Sequence, residues 1–101
     1  MISPVHAASM VAAIGNGGDV LRPYLISEVR SPQGEVLFKN DRSVISQAIS
    51  MGTASELRQM MLETTQTGTA RRHFTRSIVS VAGKTGTLKG EEPKGLYHWF
   101  I

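Results

Sequence analysis

Cysteine is absent from all 101 residues of this sequence. Its absence excludes a disulfide framework and a thiolate metal site. No stretch approaches the roughly 18 apolar residues that a membrane-spanning helix needs. Aromatic residues are also few, at 6% of the chain, and the most aromatic run is the last one, GLYHWFI. A chain seldom ends within its most strand-like segment, so we expect this sequence to be a piece of a longer protein.

Charge of one sign is not concentrated anywhere in the sequence. Eleven basic and eight acidic residues give a net charge of +3, and Arg71-Arg72 is the only adjacent basic pair. This spread predicts a solvated surface and no nucleic-acid partner. The hydrophobic content of 41% is ordinary for a soluble globular protein and argues against disorder.

The first half of the chain predicts one helix and one hairpin. Ser3 and Pro4 suit an N-cap and a first helical position, and Asn16-Gly17-Gly18 suits a helix end. Apolar residues lie almost all round this helix, which predicts that it is buried. Residues 25–30 and 35–39 are β-rich and flank Ser-Pro-Gln-Gly, which predicts a hairpin. Residues 44–50 fit either a loop or a short strand.

The second half predicts a helix followed by two strands. Thr53 and Glu56 have the spacing of a capping box, and the helix after them is amphipathic, with Met60 and Met61 in its core face and Gly68 at its end. Residues 77–87 favour a strand, residues 89–95 a turn, and residues 96–101 an antiparallel strand. We therefore expect an α/β (α+β) fold in which helices pack against an antiparallel sheet.

The stretch SVAGKTGTLKG contains a Gly-Lys-Thr core and invites comparison with a phosphate-binding loop. Such a loop needs glycine five residues before its second glycine, but Ile78 occupies that position ahead of Gly83. It must also run into a helix N-terminus. Here Lys84 is followed by Thr-Gly-Thr-Leu and a turn. The sequence therefore argues against a nucleotide site.

Lys-Thr-Gly on an extended strand suits a different ligand. The ammonium group of Lys84 supplies positive charge, and the hydroxyl of Thr85 can donate to a carboxylate. Gly86 has no side chain, so a peptide backbone can lie against the strand. The backbone N–H of Thr87 can stabilise an oxyanion. Together the four residues predict a clamp for an extended peptide that ends in a carboxylate.

At these residues the sequence resembles the penicillin-binding transpeptidases and related serine β-lactamases. VAGKTGT, with YHWFI after it, is similar to their third active-site motif, the Lys-Thr-Gly that accompanies Ser-x-x-Lys and a Ser-Asp-Asn-type motif. SPVHAASMVAAIGNGG and TASELRQMMLETTQTGTARRHF resemble flanking segments of the same fold. The resemblance implies that Lys84 and Thr87 are catalytic, and that Thr85, Gly86 and Thr87 bind substrate.

Two motifs of the family are missing from this sequence. No serine is followed three residues later by lysine, and no Ser-x-Asn occurs. The resemblance therefore implies that residues 1–101 are the C-terminal portion of a transpeptidase domain, with nucleophile and general base N-terminal to Met1. Alone, these residues are expected to be inactive and poorly stable.

The resemblance implies the parent's function and surroundings. The expected parent is a D,D-transpeptidase that cross-links peptidoglycan stem peptides with D-Ala-D-Ala ends through an acyl-serine, and that also binds β-lactams. It would need no cofactor or metal, and would act outside the cytoplasm at the membrane through an N-terminal anchor. Two alternatives stay open: a serine β-lactamase or β-lactam sensor of the same fold, and a non-catalytic peptide-binding module.

Overall fold

The fold comprises three helices and six strands in the part of the chain that the computed structural model describes, residues 3–101. In chain order they are α1 (Pro4–Gly15), β1 (Asp19–Leu21), β2 (Glu28–Arg30), β3 (Val36–Lys39), β4 (Val44–Gln47), α2 (Met51–Gln66), α3 (Arg71–Phe74), β5 (Thr85–Glu91) and β6 (Lys94–Phe100). Helices and antiparallel strands thus make up an α+β fold, as predicted. No helix within these residues is long and apolar enough to cross a membrane.

Helix α1 has the predicted ends. The Ser3 hydroxyl accepts the His6 N–H at 3.2 Å, and Pro4 is the first helical residue. At the other end Gly17 takes a left-handed φ of 73°, and the Gly18 N–H donates to the Ala13 carbonyl at 2.8 Å. This bond, together with one from the Gly17 N–H to the Ile14 carbonyl, makes a Schellman motif that satisfies the last carbonyl groups.

The prediction that α1 is buried is wrong for this structure. Ala13 is its only buried residue, whereas Val5 and Met10 are 61% and 54% exposed. The helix contacts β1 and α2, and these cover only part of its circumference. Met10, Val11 and Ile14 line an open groove of about 540 Å³ that also reaches Trp99 and Ile101.

The six strands form three separate antiparallel pairs, β1–β4, β2–β3 and β5–β6. The predicted hairpin is present as β2–β3, with strands shorter than predicted. Residues 44–50, which fitted loop or strand, contain β4, and its partner β1 was not predicted. At three residues, β1 is too short to show an alternating pattern that sequence reasoning could recognise.

The N-cap of helix α2 lies three residues earlier than predicted. Ser50 is the N-cap, and its hydroxyl accepts the Thr53 N–H at 3.2 Å. Thr53 therefore lies inside the first turn, and the predicted capping box with Glu56 is wrong. The core prediction for Met60 is also wrong, since this residue is 58% exposed. The buried residues of α2 are Ala54 and Thr65, which lie on another side of the helix.

Residues 77–84 do not form the strand that their β-branched composition predicted, and a short helix, α3, precedes them. They instead bond to α2. The Gly83 N–H donates to the Met61 carbonyl at 3.1 Å, and the Thr65 hydroxyl donates to the Val81 carbonyl. Because these backbone groups bond to a helix end, they are not available to a sheet.

Residues 3–101 together bury little apolar surface. Ala13, Ala54 and Ala70 are the buried apolar residues among those described. The radius of gyration is 17.5 Å, compared with about 13 Å for a compact domain of 100 residues. The fold is therefore a set of local elements, in which β5 and β6 are the longest strands, at seven residues each.

Candidate active site

The predicted clamp residues follow one another along one strand of the β5–β6 hairpin. Thr85, Gly86 and Thr87 begin β5 and lie opposite Phe100, Trp99 and His98. Lys84 extends the pairing by one residue: its N–H donates to the Ile101 carbonyl at 2.8 Å, and the Ile101 N–H donates back at 3.1 Å. Of the strand predicted for residues 77–87, residues 85–87 are confirmed as strand. A strand follows Lys84, whereas a phosphate-binding loop would run into a helix.

One edge of β5 is free among residues 3–101, because its only strand partner there is β6. Lys84 and Ile101 exchange both backbone bonds, so antiparallel alternation gives the next such pair at Gly86 and Trp99. The backbone N–H and C=O groups of Thr85 and Thr87 therefore point away from β6. This geometry suits pairing with an extended peptide, and it leaves the Thr87 N–H free to face a ligand oxygen.

The ammonium group of Lys84 reaches this free edge. Its Nζ donates to the carbonyl oxygen of Thr85 at 2.5 Å, and that carbonyl points away from β6. The side chain is exposed. No carboxylate in the described part of the chain lies within 4.0 Å of it, so its positive charge has no paired anion there. Lys84 can therefore attract a negatively charged ligand to the edge.

The hydroxyl of Thr85 has a partner that the sequence did not indicate. Thr69, in the turn between α2 and α3, places its Oγ1 atom 3.0 Å from Thr85 Oγ1. Either hydroxyl can donate, so if Thr69 donates, the proton of Thr85 is free for a carboxylate. No periodicity or spacing marks Thr69, because its contact spans sixteen residues of sequence.

Gly86 lies in open surroundings. A Cβ atom built there would meet only the Trp99 Cβ, at 3.8 Å, which is an ordinary contact. The fold itself therefore does not require glycine at this position. A bare strand at a free edge is instead what close approach of a ligand backbone requires.

Thr87 also has a partner that sequence reasoning did not assign. Its Oγ1 atom lies 3.2 Å from Nδ1 of His98, directly across the strand pair. From the sequence, His98 is expected to be a packing or surface residue. The antiparallel register alone brings these two side chains together, and a prediction of exact pairing could have found the contact.

Aromatic packing fixes the position of the strand pair against the helices. The rings of Phe100 and Phe74 have centroids 5.2 Å apart. Gly83 lies beneath Phe100, since a Cβ on this glycine would be 2.2 Å from the ring. Gly83 is therefore needed for close packing, whereas Gly86 is not. The sequence indicated no such difference between the two glycines.

Among residues 3–101 there is no cluster of three histidine, aspartate or glutamate side chains that could hold a metal ion. The chemistry of the site is that of one ammonium group, two hydroxyls and outward-facing backbone groups. Such an arrangement can bind a carboxylate and an adjoining extended backbone. Residues 1–101 contain no Ser-x-x-Lys, and the hydroxyl that lies beside a ring nitrogen is that of Thr87, 3.2 Å from Nδ1 of His98.

Comparison with known proteins agrees with this chemistry. Residues 1–101 match the family model described as the penicillin binding protein transpeptidase domain. A peptidoglycan D,D-transpeptidase FtsI homolog from Mesostigma viride is 27% identical over 108 residues, covering 95% of this chain and 18% of the relative. The chain thus spans about a fifth of the length of this relative.

Two solved structures show the same fold. The D,D-transpeptidase domain of a peptidoglycan glycosyltransferase from Eggerthella lenta superposes with a TM-score of 0.78 at 34% identity, covering 95% of this chain and 22% of that one. Penicillin-binding protein A from Mycobacterium tuberculosis, as its ceftriaxone acyl-enzyme, gives a TM-score of 0.81 at 27% identity, covering 99% of this chain and 23% of that one.

Proposed function

This chain belongs to the penicillin-binding protein transpeptidase domain family, and on that premise we propose that it forms the carboxylate-binding and oxyanion side of a serine D,D-transpeptidase site. Residues 1–101 would be the C-terminal portion of that domain. The observation that carries the proposal is the free edge of β5, where the Lys84 ammonium and the Thr87 N–H lie along the same unpaired side of the strand.

The proposed roles follow from where each group lies. Lys84 attracts the substrate carboxylate and polarises the network of the active-site serine. The Thr85 hydroxyl donates to the carboxylate, and Gly86 leaves room for the peptide. The Thr87 N–H is one oxyanion donor, and its hydroxyl adds a second contact to the carboxylate.

The reaction proposed for the longer protein is acyl transfer between stem peptides. A serine oxygen attacks the carbonyl of the D-Ala-D-Ala bond, that bond breaks, and the terminal D-alanine leaves with a proton. An amine of a second stem peptide then takes the acyl group and releases the serine. Because residues 1–101 contain no Ser-x-x-Lys, the nucleophile and its base must come from sequence outside them.

A β-lactam would enter the same site, and its ring-opened form would stay on the serine. This part of the proposal is supported by the acyl-enzyme complexes of penicillin-binding protein A, a protein similar to this chain. Action on peptidoglycan would place the longer protein at the extracytoplasmic face of the membrane, held by an anchor outside residues 1–101. The reaction proposed needs no cofactor.

The experiment is mass spectrometry of the full-length transpeptidase after incubation with benzylpenicillin. We expect one adduct per protein, on a serine of a Ser-x-x-Lys sequence outside residues 1–101. Rapid loss of the adduct would indicate a β-lactamase instead. A complete reading frame without Ser-x-x-Lys and without an adduct would indicate a peptide-binding module, and an adduct on a serine within residues 1–101 would contradict the proposed roles.

A further inference from the structure

We infer that His98 is a positioning residue that orients the hydroxyl of Thr87 toward the ligand carboxylate, and that its protonation strengthens the preference of the site for ligands with a carboxylate. The inference rests on the proposed function, because it assumes that a carboxylate binds beside Thr87. To the proposed function it adds a residue outside the Lys-Thr-Gly motif, and it predicts that the preference for carboxylate ligands depends on pH.

The first support is the register of the strand pair. Thr87 and His98 are directly opposite, one position beyond the hydrogen-bonded pair Gly86 and Trp99. They form a non-hydrogen-bonded pair, the type in which facing side chains come closest. The distance of 3.2 Å between Oγ1 and Nδ1 is therefore built into the hairpin and does not depend on a flexible loop.

The second support is the number of protons available to the two groups. A threonine hydroxyl has one proton, and a neutral imidazole has one donor and one acceptor nitrogen. If Nδ1 accepts, the Thr87 proton points at His98 and cannot reach a ligand. If Nδ1 carries a proton, the hydroxyl accepts from it, and its own proton is free to donate to a carboxylate.

Protonation removes this ambiguity. In the imidazolium form both ring nitrogens are donors, so Nδ1 always donates to Thr87. The hydroxyl proton then faces outward, and the positive charge of the ring adds to that of Lys84. Histidine is the side chain that changes charge between pH 5 and 8 in most settings. Both effects favour an anionic ligand when the ring is protonated.

The charged groups around His98 do not cancel this effect. On its face of the hairpin, the ionisable side chains at other register positions are Lys89, Glu91 and Lys94, and the last two lie opposite each other at the far end. Within residues 3–101, no carboxylate is within 4.0 Å of the His98 ring. Two side chains that contact this face from outside the hairpin, Thr69 and Phe74, are uncharged.

The test measures the second-order rate of acylation of the full-length transpeptidase by benzylpenicillin and by its methyl ester, from pH 5.5 to pH 8. The ester lacks the carboxylate. Dividing the rate for benzylpenicillin by the rate for the ester therefore gives a ratio in which titrations that affect both ligands cancel. For the unaltered protein we expect this ratio to rise about threefold to tenfold toward low pH, the effect of about one hydrogen bond.

Two variants separate positioning from structure. His98→Asn keeps a polar side chain that can bond to Thr87 but cannot be protonated, so the ratio should become independent of pH. His98→Ala should lower the ratio at pH 5.5, and should have no further effect on the ratio in a Thr87→Val background, because His98 acts through that hydroxyl. Thermal melting of each variant shows whether the fold is retained.

The outcomes distinguish this inference from the proposed function. If the unaltered protein is not acylated at all, the proposed function fails. If it is acylated but the ratio does not change with pH, or if His98→Asn keeps the same pH profile, the role of His98 is wrong while the proposed function stands. An effect of His98→Ala that persists in the Thr87→Val background would also overturn the role.

Discussion

The hairpins β2–β3 and β5–β6 are both antiparallel pairs joined by a turn that contains proline, yet they are held in place differently. The hydrogen bonds of β2–β3 and its turn stay within residues 27–40, as in the Ser31 N–H that donates to the Glu35 carbonyl at 2.8 Å. In β5–β6, by contrast, Phe100 packs on Phe74 of α3, and Thr85 bonds to Thr69.

This difference shows what local sequence can and cannot specify. Turn residues and β-rich flanks are enough to form either hairpin. The second hairpin has side-chain contacts, with Phe74 of α3 and with Thr69, that link it to the helical part of the chain. A site needs such contacts, because a ligand is bound by groups from several elements held in one geometry. Substitutions along the free edge of β5 should therefore change function, and matched substitutions away from that edge should not.

The largest effect is expected for Gly86→Val in the full-length transpeptidase. A Cβ at Gly86 meets no backbone, so the fold should be retained, but the side chain would occupy the free edge where a ligand backbone lies. We expect acylation by a fluorescent penicillin to fall by about 100-fold or more, the cost of a misplaced reacting group.

The matched control for Gly86→Val is Gly95→Val on β6. Gly95 also has no atom within 4 Å of a Cβ built there, but it lies at the turn end of the hairpin. Normal labelling of Gly95→Val beside weak labelling of Gly86→Val is the expected pattern. Normal labelling of both variants would show that no ligand lies along β5.

Thr85→Val should have the second largest effect. Valine keeps the shape of threonine and removes the hydroxyl, so a charge-assisted hydrogen bond worth about 1.5–3 kcal/mol is lost. Acylation by benzylpenicillin should weaken accordingly, whereas acylation by the methyl ester should change little. Thr85→Ser is the control that keeps the hydroxyl. If both ligands weaken equally in Thr85→Val, Thr85 does not bind the carboxylate.

Phe100→Ala and Phe38→Ala compare the two hairpins directly. The two rings are similarly exposed, at 43% and 49%, but only Phe100 is paired with another aromatic ring. Loss of Phe100 should lower the free energy of unfolding by about 2 kcal/mol. This is less than the usual cost of removing a core phenylalanine, because the Phe100 ring is partly exposed. Phe38→Ala should cost clearly less. Thermal denaturation measures both, and equal costs would contradict the proposed anchoring of β5–β6.

The smallest effect is expected for the ion pair of Arg30 and Glu28 on β2. The side chain of Arg30 is 56% exposed, and exposed pairs of this kind are typically worth about 0–1 kcal/mol. Arg30→Gln should therefore change the free energy of unfolding by less than about 0.5 kcal/mol and leave acylation unchanged. A marked loss of acylation would show that β2–β3 contributes to the site.

Much of this fold could be predicted from interactions between residues that are close in sequence. Ser3, Pro4 and the glycines after Asn16 define the ends of α1 through short-range capping, which sequence alone reveals. Both hairpins were predicted, but β5 and β6 extend into residues 89–95, which were predicted as a turn. The Lys-Thr-Gly segment identified the strand of the candidate site. Long-range features were not predictable. The bonding of residues 81–83 to α2 joins groups that are far apart in sequence, such as Thr65 and Val81. The choice of Ser50 over Thr53 as a cap is local, but both residue types suit an N-cap, so the sequence left it open.

The site was predictable only in part for the same reason. Residues 84–87 are contiguous, so their motif can be read directly. Thr69 and His98 contact the motif from sixteen and eleven residues away, and no spacing rule marks either one. The exposed face of α1 also has no local signature, because an apolar helix gives the same pattern whether or not another element covers it.

The most direct test of the central claim is a crystal structure of the full-length transpeptidase after reaction with benzylpenicillin. The claim is that the free edge of β5 binds the carboxylate of the ligand. The predicted result is a carboxylate oxygen within about 3 Å of the Thr85 hydroxyl, with the Thr87 N–H facing the ester carbonyl of the acyl-serine. An acyl-enzyme whose carboxylate is bound by other residues, with β5 untouched, would contradict the account.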